Sequence, residues 1–179
     1  MLITSPAKDK GITFLKRQKE VWNWVPSIER VVKLPPSMMS QSWMGTDMTN
    51  DDLVRESSNV TDFDHALKGE KEIDGAMCYK IEMIPHDDAD IVWDKVIMFI
   101  DKDKLITRRA ETYDEDGDLV NVTKSSNIKV MDGKEIATKM EFIPMDKEGH
   151  KTVVEINSIQ FDVPIDDSFF TIQNMKKVK

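Results

Sequence analysis

Short stretches of alternating apolar and polar residues, separated by turn residues, set the pattern of this 179-residue chain. Ile136, Thr138, Met140 and Phe142 fall on one face of an extended segment, with Glu135, Lys139 and Glu141 on the other. Met77, Tyr79, Ile81 and Met83 similarly oppose Cys78, Lys80 and Glu82, so one face of the sheet is expected to be wet. Val92 to Ile100 differs: Val92, Val96, Met98 and Ile100 share a face, while Trp93, Ile97 and Phe99 occupy the other. A strand apolar on both sides belongs near the middle of a sheet. Between these segments lie Lys8 to Gly11, Arg17 to Lys19, Val25 to Ser27, Ile73-Asp-Gly75, Asp101 to Asp103, Asp114 to Gly117, Met131-Asp-Gly133 and Asp146 to Gly149. Gly and Asp supply the positive backbone angles that tight hairpins need, so the spacing predicts an antiparallel meander. Near the C-terminus, Val154 and Ile156 are out of phase with Ile159, Phe161 and Val163, and a β-bulge at Asn157-Ser158 is expected to restore the inward set. Helical signal is sparse. Short turns are expected over Ser37 to Trp43, from Asn50 as a cap through Val54, and over Asp166 to Phe170.

The length suits a single domain over residues 1–179 that needs neither metal nor disulfide as a staple. Cys78 is the one cysteine, which excludes an internal disulfide and every multi-cysteine metal site. A formal charge of −8 with interspersed Lys and Arg argues against a nucleic acid partner. The longest apolar run, Val96 to Ile100, has strand length, far short of the roughly 20 residues that cross a bilayer as a helix. Enzyme readings find no support. His65, His86 and His150 are scattered and sit in no nucleophile elbow, zinc-protease signature or phosphate cradle. The acidic runs His86 to Asp90 and Asp114 to Asp118 read as solvated turns, and the second lacks EF-hand spacing. No catalytic residue, metal or cofactor is expected.

What the chain does supply is soft apolar surface, with twelve Met and four Trp. Met adapts to flexible partners, though it also fills irregular cores. Trp22 and Trp24 share a face if their segment is a strand, either anchoring the sheet or walling a cavity mouth. Arg17 and Arg30 read as exposed residues flanking a hairpin.

Several strings carry a family resemblance: Lys10-Gly-Ile-Thr-Phe-Leu-Lys-Arg17, Trp22-Asn-Trp-Val-Pro-Ser-Ile-Glu-Arg30, Leu34-Pro-Pro-Ser-Met-Met39, Gln41-Ser-Trp-Met-Gly-Thr-Asp47, Thr49-Asn-Asp-Asp-Leu53 and the closing Phe161-Asp-Val-Pro-Ile-Asp-Asp-Ser-Phe-Phe170. From about Leu2 to Lys179 the chain resembles the outer-membrane lipoprotein-sorting proteins, the LolA-like periplasmic carriers. The resemblance implies a mainly β fold: a strongly curved antiparallel sheet forming an incomplete, half-open barrel, with short helices or loops as lids. Family members carry an export signal, a helix and early strands ahead of the segment matching Leu2 onward. Their absence from this chain is expected to leave an open strand edge and to favour a homodimer.

The implied function is a non-enzymatic periplasmic carrier that shields acyl chains of lipoproteins, or another lipid, between inner- and outer-membrane sorting proteins. Hiding one chain of ~14 methylenes from water is worth roughly 11 kcal/mol at ~0.8 kcal/mol per methylene, so such a carrier needs a deep, dry surface. The resemblance favours Met38, Met39, Trp43, Met44 and Met48 as loop or lid contacts, and makes Trp22, Trp24, Trp93, Met98 and Phe99 candidates for the lining. A carrier for a different lipid, or a module that binds a protein segment at its sheet edge, remains the alternative.

Overall fold

The computed structural model describes residues 1–17, 20–39, 41–50, 52, 59–87, 89 and 91–178. They fall into two compact units. The first comprises Met1–Gln41, Asn50–Val54 and Asp162–Lys179, and the second Ser42–Thr49 and Arg55–Phe161.

In the first unit, β1 (Thr13–Arg17), β2 (Glu20–Val25) and β3 (Arg30–Lys33) form an antiparallel sheet in chain order. A 3-10 turn over Pro26–Ile28 links β2 to β3, ending on Glu29 in the left-handed region at φ 52°. Met1 to Ile3 run beside the outer edge of β1: the Phe14 amide donates to the Met1 carbonyl (2.9 Å) and the Ile3 amide to that of Ile12 (2.8 Å). A one-turn helix, α1 (Ile172–Met175), is capped by the Thr171 hydroxyl. It is tied to β1 through the Thr13 hydroxyl, which donates to the Met175 carbonyl at 2.8 Å. Asp166 caps the preceding 3-10 turn, Asp167–Phe169, as its sequence suggests.

The second unit is a seven-stranded antiparallel sheet: β4 (Phe63–Ile73), β5 (Ala76–Pro85), β6 (Lys95–Asp101), β7 (Thr107–Tyr113), β8 (Leu119–Met131), β9 (Lys134–Pro144) and β10 (Thr152–Glu155). Its spatial order follows the chain, and β4 and β10 are left as unjoined edges, so the sheet is an open meander and not a closed barrel. The turn residues act as expected. Asp74-Gly75 and Asp132-Gly133 take positive φ at both positions (48° and 78°, 45° and 78°), the two-residue hairpin geometry whose twist matches the strands. Gly117 and Gly149 supply positive φ in the β7–β8 and β9–β10 connections.

Four details differ from the sequence reading. β4 gives little sequence signal because it is an exposed edge, rich in Lys and Glu and kinked by a bulge between Leu67 and Glu70 where Gly69 adopts φ 112°. No bulge forms at Asn157-Ser158: β10 ends at Glu155, with only the Ile156 amide still reaching the Thr138 carbonyl (2.8 Å). The turn expected over Ser37 to Trp43 contracts to a 3-10 turn at Pro36–Met38, and most of the turn expected after Asn50 lies outside the described residues. Finally, the face of β5 that bears Lys80 and Glu82 is not uniformly wet. Cys78 (0% exposed), Phe99 (1%) and Ile97 pack on it with Ile73, Ala76 and Tyr113. The Lys71 ammonium lies 5.5 Å from the Phe99 ring centroid, so a long basic side chain roofs this small core.

The tightest polar node is the β6–β7 connection. Asp101, 3% exposed, accepts the Asp103 and Lys104 amides (2.9 and 3.0 Å) and both Nε and Nη2 of Arg108 (2.9 and 2.6 Å). The Lys104 amide first, then the Arg108 guanidinium, hold its carboxyl below the ordinary carboxylate range, outweighing desolvation. A depressed folded-state pKa stabilises the protein above the unfolded value of 3.8, and that stability is lost as pH falls through the folded value. Urea unfolding should show the wild type losing stability below about pH 4 by a component that Asp101→Asn lacks. At pH 7 the variant should be less stable by about 2 kcal/mol, the scale of lost hydrogen bonds to a charged group. Parallel pH profiles for the two proteins would contradict this role.

Candidate functional site

Register fixes which side chains share a face of the seven-stranded sheet, because directly paired residues of an antiparallel ladder point the same way. One row crosses all seven strands: Leu67, Ile81, Met98, Ala110, Thr123, Phe142 and Thr152. No member is charged. At ~4.8 Å between strands the row spans roughly 29 Å. Beside it on the same face stand Met83, Val96, Thr112 and Asn121 in one direction, and Tyr79 with Ile100 and Ser125 with Met140 in the other. Most of these side chains are half-buried, and Met83 is fully buried.

The opposite face has different chemistry. Its row runs Lys80, Phe99, Arg109, Lys124, Glu141 and Val153. Ion pairs cover it, including Lys68 with Glu82 (2.8 Å), Arg109 with Glu111 (2.7 Å) and Lys151 with Glu141 (2.7 Å). Hydrogen bonds from Lys68 and from Lys151 hold the Glu82 and Glu141 carboxyls below their usual range. Tyr113 donates to Glu111 at 2.9 Å, and burial, then that carboxylate, pushes its phenol up. The centre of the first face is thus free of charge, while its margins carry some: Glu70, paired with Tyr79 beyond the bulge in β4, meets the Lys102 ammonium, and Lys129 stands opposite Ile136.

The residues expected to contact a ligand are distributed as follows. Met98 lies in the centre of the uncharged row, whereas Phe99, its neighbour in sequence, is buried on the ion-paired face. Trp93 is half-buried just ahead of β6. Trp43, Met44 and Met48 belong to a small hairpin of the second unit, closed by the Ser42–Thr49 bridge and by the Trp43 amide donating to the Met48 carbonyl (2.7 Å). Met44 and Gly45 turn it with φ 51° and 77°, and Met48 is buried. Asp47 fastens this hairpin to the edge strand β10: its amide donates to the Thr152 hydroxyl, which donates back to its carboxylate, both at 2.8 Å.

Trp22, Trp24, Met38 and Met39 lie in the first unit. Trp22 and Trp24 share a face of β2, as expected, beneath the ammonium groups of Lys33 (5.9 Å from the ring centroid) and Lys176 (5.3 Å). Met38 and Met39 are half-buried, and the Met38 carbonyl accepts from the Asn50 side chain at 2.9 Å. Sequence reasoning missed the polar column Asn121, Thr123 and Ser125 on β8. Its signal was available as Asn and Ser in a strand, types that fit a pleated sheet poorly. Among the described residues no group of three or more His, Cys, Asp or Glu is placed to hold a metal ion.

A family model described as an uncharacterized protein matches residues 1–177. A DUF1329 family protein from Desulfovibrio piger superposes with a TM-score of 0.88 at 25% identity, over 97% of this chain and 75% of that one. A candidate outer membrane lipoprotein-sorting protein domain from Vibrio parahaemolyticus gives 0.86 at 20% identity, over 98% and 75%, and a LolA superfamily protein from Nitrosomonas europaea gives 0.76 at 23%, over 96% and 75%. The chain belongs to the family that this model describes, and it shares its fold with the LolA-like proteins. No curated protein matches it. The open antiparallel sheet of this LolA-like fold is the seven-stranded meander of the second unit.

The Asp47 tether makes a direct prediction. Asp47→Ala should speed amide hydrogen exchange at Trp43 and Thr46 at least tenfold while leaving β6 amides unchanged. Unaltered exchange at Trp43 would mean the hairpin holds its place without β10.

Proposed function

We propose that this protein is a non-enzymatic periplasmic carrier that shields acyl chains, foremost those of lipoproteins, on the uncharged face of its seven-stranded sheet. The supporting observation is the uncharged row from Leu67 to Thr152, paired without a break across seven strands while ion pairs occupy the reverse side. An acyl chain gains about 0.8 kcal/mol per methylene removed from water, and any carboxylate or ammonium stranded beneath it would subtract several kcal/mol. A surface free of charge at its centre, rich in Met and β-branched residues, meets both conditions, and Met adapts to chains of differing length. The lipoprotein-carrier fold shared with the Vibrio and Nitrosomonas proteins supports the same reading.

Met98 and Ile100 are the proposed central contacts, with Tyr79 and Ile81 on one flank and Met140 and Phe142 on the other. Trp43 and Met44, carried on the hairpin beside β10, are proposed as contacts at that edge. Phe99 is assigned to the internal packing of the ion-paired face. Delivery would involve sorting proteins of the inner and outer membranes. Homodimerisation through β4 is not part of this reading, because a bulged strand lined with Lys and Glu has the features that keep sheet edges from pairing.

Diphenylhexatriene, an uncharged apolar fluorophore, should brighten on binding the wild-type protein. Met98→Asp should weaken that binding at least tenfold, or about 1.4 kcal/mol. Val130→Asp, at an exposed position of the other face, should stay within twofold. Equal effects of the two substitutions would refute the assignment.

A further inference from the structure

Four edge strands bound the two sheets, and three of them are guarded. Met1 to Ile3 lie along the outer side of β1, where the Met1 carbonyl accepts the Phe14 amide (2.9 Å) and the Met1 ammonium donates to the Phe14 carbonyl (2.8 Å). β4 is bulged and lined with Lys and Glu, and the 42–49 hairpin is tied to β10 through Asp47. Among the described residues no strand pairs with the outer side of β3. Its residues, Arg30–Lys33, pair with β2 without a bulge and include neither Gly nor Pro, and Arg30, Val32 and Lys33 are exposed. Proteins blunt open edges, so a regular one left bare marks a place where another strand can join.

Register shows which groups are free there. The Leu34 amide donates to the Val21 carbonyl at 2.9 Å, and inward and outward residues alternate in an antiparallel ladder, so Val32 and Arg30 also face β2. Val31 and Lys33 therefore turn their amides and carbonyls outward, and none of these groups has a partner among the described residues. A strand laid antiparallel against this edge sets side chains directly opposite Lys33, Val32, Val31 and Arg30, in that order. Opposite charges across such a pair attract and like charges repel, which favours an acidic residue at each end and apolar residues between. Arg30 makes no ion pair among the described residues, and the Lys33 ammonium, bonded to Glu20, has two more protons to donate. A second copy of β3 fits poorly, because it would crowd two Arg and two Lys along one seam. The basic ends thus guard this edge against itself and leave an acidic strand as the fitting occupant.

We propose that β3 is a strand-addition site for a partner protein, taking an extended segment of pattern acidic, apolar, apolar, acidic. The segment becomes the fourth strand of the first unit's sheet. Main-chain hydrogen bonds to Val31 and Lys33 supply affinity, while Arg30, Lys33 and the exposed Val32 supply selectivity. This inference does not rest on the carrier reading, since it concerns the other unit and other residues.

The probe is the peptide acetyl-Thr-Glu-Val-Ile-Glu-Thr-amide, followed by NMR on the isotope-labelled full chain. It should shift the Val31 and Lys33 amide resonances most and slow their hydrogen exchange. Replacing both Glu by Lys, or moving both Glu to the centre of the peptide, should weaken binding at least tenfold. N-methylation of the first Glu and of Ile, whose amides would face β3, should abolish binding, whereas N-methylation of Val and of the second Glu should leave it within threefold. Arg30→Glu should lose about fivefold with this peptide and recover it when Lys replaces the second Glu, and unchanged amide exchange in β1 shows that the variant keeps its sheet. Largest shifts outside β3, equal binding of the Lys peptide, or indifference to which amides are methylated overturns the proposal. A wild-type dimer in sedimentation that Val31→Pro dissolves would give the edge to a second copy and overturn the commitment to an acidic partner; the Val31 amide points away from β2, so that substitution leaves the ladder in place.

Discussion

Unbroken register through the middle of the seven-stranded sheet is the constraint on which the rest depends. Side chains alternate with period two, so a slip of one residue in any strand would carry its charged set to the other side. From Ile81 through Met98, Ala110, Thr123 and Phe142 no such slip occurs. The irregularities fall off this line: at Gly69 on the edge strand, at Arg108 beside the β6–β7 turn, and at Val120 beside the β7–β8 turn. The bulges beside the two turns add twist without breaking the central row, while the one at Gly69 turns Glu70 to the side of Tyr79 at the sheet's edge. The Asp101–Arg108 node sits at one such point, where four hydrogen bonds to one carboxylate fix where β7 re-enters the ladder.

The two faces solve different problems. On one, Lys, Arg and Glu pair with each other while the stems of the basic residues cover a small core of Cys78, Ile97 and Phe99. Those exposed ion pairs contribute little stability individually, but they keep that side soluble and free of large apolar patches. Charge kept to the margins of the other side leaves a partly exposed apolar surface at its centre, which a protein without a ligand or partner for it would normally avoid. Such a surface, on a sheet whose ends are not joined, is what a carrier of flexible hydrocarbon needs.

Much of this was legible in the sequence, where local chemistry decides the outcome. Asp74-Gly75 and Asp132-Gly133 announce their hairpins because only residues tolerant of positive φ serve there, and the alternation in β5, β6 and β9 gave the correct phase. Three things were hidden by their dependence on distant partners. The edge strand β4 has little apolar signal because the ladder to β5 specifies it. The place of the 42–49 hairpin depends on Asp47 meeting Thr152, 105 residues away. Met98 and Phe99 looked equally suited to a lining until register put one in the open row and the other beneath Lys71.

Photolabelling by a lipid with a diazirine within its palmitoyl chain tests the central claim most directly, since the carbene marks whichever side chains touch hydrocarbon. Peptide mapping of the irradiated complex should find adducts on Met98, Ile100, Met140 and Phe142, and none on Val130 or Val153 of the ion-paired face. Adducts concentrated on that face, or spread evenly over both, would contradict the account.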